Sequence, residues 1–275
     1  MLIGVNVPNF GPGTTPSVLR DWARTVESLG FDLLMMSDHV VVTPDVAEQY
    51  PAPFYEPFTT LSWLAGVTER ITLGTTVLIA AYRHPLLVAR MAANLADLSG
   101  GRFVLGVGVG WARQEFEALG VPFQRRGKLT DELVTTLRAA WQDEGYRAGR
   151  VPIWVGGHSD GALRRVVRLG DAWHPLRQTP AGWRESLERL KALAAEENLP
   201  LPELAPRIML RLTDLPVDDR RLGEGTIEQV VADLRQLRAD GAHAVVLDPF
   251  IGDPQETRHP EVAWQALAAV RKEFG

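Results

Sequence analysis

Apolar residues fall along this chain in two alternating rhythms. Short, nearly continuous aliphatic runs recur between longer stretches in which apolar positions repeat every three or four residues, and the alternation extends from end to end. Short runs bounded by turn residues mark strands buried on both faces, and the longer period marks amphipathic helices. The predicted strands are residues 2–7, 32–37, 71–79, 103–107, 153–155, 172–174, 208–212 and 244–247. Eight strands alternating with helices predict a parallel sheet closed into a barrel, an α/β fold of the (β/α)8 TIM-like type.

The helices carry legible punctuation. Thr15 and Pro16 open the first, Leu19, Trp22, Val26 and Leu29 share one of its faces, and Gly30 closes it. Thr226 and Gln229 predict a capping box ahead of Val230, Leu234 and Leu237, with Gly241 beyond. Leu129, Leu133, Leu137 and Trp141 form a helical stripe whose plain reading is core packing. No linker or low-complexity segment interrupts the pattern, so residues 1–275 are expected to form one barrel domain.

The run 2–7 leads directly into Pro8 and Asn9 without a basic start or a small-residue cleavage site, so it reads as a strand rather than a leader. No stretch approaches the roughly 18 apolar residues of a spanning helix. A cytoplasmic protein with no membrane partner is expected. Hydrophobic residues at 45% and charged residues at 23% are the balance of a globular chain. A net charge of −5 argues against a nucleic-acid partner and means that any anionic ligand must be held locally. The absence of cysteine excludes disulfides, thiolate metal sites and cysteine nucleophiles.

Barrel enzymes carry their chemistry at the carboxyl ends of the strands. Ser37-Asp38-His39 stands where the second strand stops and a long loop begins. Histidine exchanges protons near neutral pH and an adjacent carboxylate can orient it, so Asp38 and His39 are candidates for acid/base work; the competing reading is that they fasten the loop. Thr75, Thr76 and Val77 end the third strand, and Arg83 and His84 follow as ligand contacts or as surface and capping residues. In Gly106-Val107-Gly108-Val109-Gly110 the three glycines share one face, which suggests that a flat ligand or another backbone comes close there. Arg113 occupies the place of the last glycine of a dinucleotide fingerprint, so that motif is not matched.

Gly156-Gly157-His158-Ser159 leads into a helical pattern with Ser159 as its cap. Backbone amides and the positive end of the helix dipole favour a phosphate there, whereas an ordinary capped turn would explain only the serine. None of the six histidines shows the spacing of a metal site, and Asp38, His39, His84, Asp171 and His174 could converge only through the fold. The Gly-x-Ser-x-Gly elbow of serine hydrolases is absent.

Taken together, Ser37-Asp38-His39, Arg83-His84-Pro85 with Ala89-Arg90, Leu98-Ser99-Gly100-Gly101-Arg102, residues 105–111 with Glu115, residues 152–159, and Gly170-Asp171-Ala172-Trp173-His174 resemble the luciferase-like oxidoreductases, in particular their F420-dependent branch. The resemblance spans nearly the whole chain. It implies a deazaflavin F420, or alternatively FMN, in the barrel mouth against a non-proline cis peptide at Thr76-Val77. It places the ring near Asp38, His39, Thr75, Gly106, Gly108, Val109 and Gly110, and the phosphate at Gly156, Gly157, His158 and Ser159. His39 would move a proton, with Asp38 orienting it, while hydride passes between F420 and a small organic substrate. An FMNH2-dependent monooxygenase and a catalytically silent cofactor-binding protein are the alternatives. A homodimer is implied by the same resemblance.

Two departures stand out. The family's sugar-phosphate dehydrogenases carry a catalytic glutamate where this chain has Trp111, and the usual insertion before the fifth strand is reduced to residues 142–150. The loop 40–57, with Tyr50, Phe54 and Tyr55 among prolines, is the remaining lid candidate. Arg113, Arg125, Arg126 and Lys128 are candidates to meet an acidic cofactor tail, or else a solvated charged turn.

Overall fold

In the computed structural model, which describes residues 1–146 and 151–275, eight parallel strands form the wall of a barrel. They are β1 Leu2–Asn6, β2 Leu33–Met36, β3 Thr72–Thr75, β4 Phe103–Gly108, β5 Ile153–Gly156, β6 Ala172–His174, β7 Arg207–Met209 and β8 Ala244–Asp248. Each strand from β1 to β6 pairs with the next, and β7 pairs with β8, which returns to β1. The seam lies between β6 and β7. Glu203–Leu204 pairs with β6, then Pro206, which has no N–H to donate, interrupts the strand. Beyond it Arg207 N donates to Pro175 O at 2.8 Å and Arg207 bridges Leu176, closing the ring.

Besides the short helices Pro44–Ala47 and Arg113–Ala118, the helices are α1 Pro16–Ser28, α2 Pro57–Ala65, α3 Pro85–Leu98, α4 Arg126–Ala140, α5 Asp160–Leu169, α6 Pro180–Glu196, α7 Ile227–Ala239 and α8 Pro260–Phe274. Proline opens α1, α2, α3, α6 and α8, where its missing N–H removes no helical bond. Thr15, Ser159 and Thr179 cap α1, α5 and α6 with their hydroxyls, and Thr226 with Gln229 forms the expected capping box of α7. Two apolar layers result from strand alternation. Leu34, Met36, Val155 and Val245 face the helices, whereas Leu33, Met35, Val104, Trp154, Ala244 and Val246 fill the barrel interior.

Two predicted strands differ from the structure in an informative way. The run 71–79 is not continuous: β3 ends at Thr75, a cis peptide joins Thr76 to Val77, and Leu78–Ile79 resumes pairing with β4. The run 208–212 starts one residue earlier and breaks at Leu210, whose amide donates to Asp248 O; Arg211–Leu212 then pairs with Glu224–Gly225 outside the barrel. In the reduced segment before β5, Trp141 Nε1 donates to Ala89 O and Arg90 lies over the Tyr146 ring; residues 147–150 lie outside the described residues. Among the described residues, no helix is long and apolar enough to cross a membrane.

Candidate functional site

The strand ends surround a hollow of about 400 Å³. Val77, Ile79, Val109 and Leu176 give it apolar wall, Tyr50 and Trp111 contribute aromatic rings, and Ser37, His39, Thr76, Arg177 and Arg207 contribute polar groups. Gly108, Gly110, Gly156 and Gly157 complete much of the lining.

His39 is buried at the start of the long loop, and its partner is not its neighbour. Its Nδ1 lies 2.6 Å from Oε2 of Glu115, which stands on the short helix Arg113–Ala118 and is fully buried. Glu115 also accepts from Tyr82 Oη at 2.9 Å and from the amides of Val40 and Val41 at 2.6 and 3.0 Å. Burial by itself would raise the Glu115 carboxyl, but the bond and charge of His39 and the two amides outweigh it and hold it below the ordinary range. An ionised carboxylate only accepts, so His39 Nδ1 carries the proton and donates it. Nε2 is left as the nitrogen able to exchange a proton. Burial and the Glu115 charge push the Tyr82 phenol upward, which keeps it a donor.

The expected orientation of His39 by Asp38 is therefore corrected. Asp38 accepts both Arg83 Nη atoms at 2.7 and 2.8 Å and the Ile79 amide at 2.9 Å. Burial raises its carboxyl against the pull of Arg83 and that amide. Arg83 also donates to Glu56 at 2.9 Å, so the Asp38–Arg83–Glu56 cluster ties the loop to the strand ends. The fastening reading holds for Asp38, and both Asp38 and His39 line the hollow.

The glycine face of β4 is also reassigned. A Cβ on Gly106 would lie 2.0 Å from Thr75 O, and one on Gly108 would lie 2.4 Å from Val77 Cγ2. Thr75 Oγ1 donates to Gly106 O at 2.7 Å. The close neighbour of Gly106 is thus the backbone of the third-strand bulge, the second of the two possibilities read from the sequence, while Gly108 and Gly110 line the hollow beside Val77 and Val109. Beneath it, Thr76 Oγ1 donates to His174 Nε2 at 2.8 Å, while Arg207 donates to Thr76 O at 2.6 Å and pairs with Asp248.

Gly156 and Gly157 reach the hollow. Gly157 has φ of +106°, and a Cβ there would meet Ala162 at 2.8 Å, so only glycine fits this turn into α5. His158 and Ser159 are exposed and outside the lining. The basic candidates are engaged elsewhere: Arg113 and Arg126 lie over the Phe123 ring, and Arg125 and Lys128 approach Glu132. The cations that line the hollow are Arg177 and Arg207, which the sequence reading did not single out. Among the described residues, no three His, Asp or Glu side chains are placed to hold a metal.

The loop 40–57 is seated on aromatic rings. Phe10 stacks with Phe54 and meets Tyr50 edge-on, and the Gly11 amide donates to Pro51 O and Pro53 O. Tyr50 stacks on His39 with centroids 5.5 Å apart, and Phe54 and Trp111 meet the imidazole edge-on.

A family model described as luciferase-like monooxygenase matches residues 1–221. The chain belongs to the luciferase-like monooxygenase family. It is 33% identical over 165 residues to the phthiodiolone/phenolphthiodiolone dimycocerosates ketoreductase of Mycobacterium tuberculosis, a match covering 52% of the chain and 43% of the relative. Uncharacterised mycobacterial relatives match at 32% over 180 residues, so the chain spans 62% of their length. Two solved structures share the luciferase-like barrel at 16% identity. An F420-dependent secondary alcohol dehydrogenase holding an F420–acetone adduct superposes with a TM-score of 0.78 over 98% of both chains. The oxygenating constituent of 3,6-diketocamphane monooxygenase from Pseudomonas putida, in complex with FMN, gives 0.75 over 100% of this chain and 98% of that one.

Proposed function

We propose that this protein is an oxidoreductase that moves a hydride between coenzyme F420 and the carbonyl or alcohol carbon of a small organic substrate. The observation that carries the reading is His39, which lines the strand-end hollow and is backed by the buried carboxylate of Glu115. The residues present fit a flat heteroaromatic cofactor. A hollow of about 400 Å³ lies within the usual size of ligand sites, about 300–1,000 Å³, and its apolar and aromatic wall carries only a few polar groups. Thr76, Val77 and Val109 would lie against the ring, and Gly156, Gly157, His158 and Ser159, with the amides opening α5, would meet its phosphate. When bound, F420 would supply or accept the hydride.

The chain's own part is proton management and exclusion of water. A carbonyl that gains a hydride at carbon needs one proton on oxygen to become an alcohol, and the reverse reaction releases it. His39 is built for this exchange: Glu115 fixes the Nδ1–H and stabilises the charge that the ring gains when Nε2 takes up a proton. Tyr50, Phe54 and Trp111 pack around the imidazole and keep bulk water from it. The named activities of the mycobacterial ketoreductase and of the alcohol dehydrogenase support carbonyl chemistry. The FMN-bound neighbour favours a second reading, a monooxygenase using reduced FMN.

His39→Ala is the test. The variant is expected to bind cofactor within about threefold of the parent while kcat falls by about a hundredfold or more. Full turnover in His39→Ala removes the assignment.

A further inference from the structure

Arg177 stands on the rim of the hollow and is unlike the other charged groups around it. Asp38 is bound by Arg83, Glu115 by His39, and Arg207 by Asp248. Among the described residues, Arg177 is the lining cation with no carboxylate partner; its hydrogen bond goes to Tyr50 Oη, at 3.4 Å. Its φ of +57° lies in the left-handed region, which is unfavourable for a residue with a Cβ. The flanking backbone imposes that geometry. Leu176 bridges Arg207 across the barrel seam, Arg207 N donates to Pro175 O at 2.8 Å, and Leu222 N donates to Gln178 O at 2.9 Å. A strained residue held by its surroundings at the mouth of a cavity is a reason to look for a role there.

We propose that Arg177 is the anion-binding residue of the hollow, taking a phosphate or carboxylate oxygen of the bound ligand on its guanidinium. The inference rests on the hollow being a ligand site, as proposed above. A guanidinium offers several donors in a fixed fork suited to oxyanions. A neutral phenol 3.4 Å away is a weak partner that a charged oxygen displaces. The chain carries a net charge of −5, so an anion must find its positive charge locally, and Arg177 supplies it inside the same lining as Gly156 and Gly157. The oxyanion belongs either to the cofactor's phosphorylated arm or to the substrate.

Calorimetric titration of the intact protein separates these sources. Wild type, Arg177→Lys and Arg177→Gln are each titrated with FMN and riboflavin, with F420 and its deazaflavin alcohol lacking the phosphate, and with inorganic phosphate. Wild type is expected to bind inorganic phosphate, Arg177→Lys to retain most of that affinity, and Arg177→Gln to lose about tenfold or more. If the anion is the cofactor's, Arg177→Gln weakens FMN or F420 by a similar factor and leaves the phosphate-free chromophore unchanged. If phosphate binding is lost while all chromophores bind as before, the anion is the substrate's and the proposal stands. If no chromophore binds wild type but inorganic phosphate still depends on Arg177, the redox reading fails and the anion site survives. Wild type that binds no phosphate, or phosphate binding indifferent to Arg177→Gln, overturns it.

Discussion

Glu115 accepts hydrogen bonds from a ring nitrogen, a phenol and two consecutive backbone amides while fully buried. Such a carboxylate sets the orientation of His39 and the start of the loop at once. Glu115→Gln keeps the shape but removes the carboxylate that fixes the His39 Nδ1–H, so kcat is expected to fall by about tenfold to a hundredfold with little change in KM. Glu115→Ala is expected to cost about 3 kcal/mol in denaturant unfolding as well, because the Val40 and Val41 amides lose their acceptor. The place of His39 in the hollow was legible because it follows the end of a strand. Its partner was not. Consecutive residues of an extended chain project to opposite sides, so Asp38, the nearest carboxylate in sequence, was turned away toward Arg83, and the true partner lay 76 positions on.

At the level of elements, the glycines of β4 make room for the bulge of the third strand. Gly106→Ala would drive a methyl into Thr75 O, which is backbone and has nowhere to go. The expected outcome is a loss of about 3 kcal/mol or more, read as a Tm lower by roughly 5 °C or more. Gly161, in the first turn of α5, has open space around its missing Cβ, and Gly161→Ala is expected to raise stability by about 0.5 kcal/mol. The opposite signs check whether close approach, rather than glycine content, explains β4. Strands and helix caps were readable because alternation and capping are local. The break after Thr75 was not visible in the pattern of the run 71–79, since strand-forming residues (Thr75, Thr76, Val77, Leu78 and Ile79) continue through it without a turn residue; the resemblance to a family located it. The seam at Pro206 needed the neighbouring strands before its meaning emerged.

For the molecule as a whole, closure of the barrel buries His174 among β5, β6 and the third-strand bulge. Burial lowers its pKa to about 4 from 6.5, with the Arg207 charge adding to the shift and the Ala205 carbonyl opposing it. The folded form therefore refuses a proton that the unfolded chain accepts below pH 6.5. Stability is full above that pH and declines as pH falls toward 4, by about 3 kcal/mol in all. Thermal unfolding between pH 7.5 and 4.5 is expected to show this slope in the parent and a shallower one in His174→Gln. The eight-stranded plan was legible end to end because every strand announces itself, while the placement of charge was not: the basic run at 125–128 stayed on the surface, and the cations of the hollow came from the segment after β6 and the first residue of β7. The proposed function requires that a redox ring bind in this hollow. Equilibrium titration of the purified apoprotein with F420 and with FMN, each oxidised and reduced, addresses it most directly. Selective F420 binding at micromolar affinity or tighter is the expected result; preference for FMN would contradict the F420 assignment, and failure to bind either would contradict the claim itself.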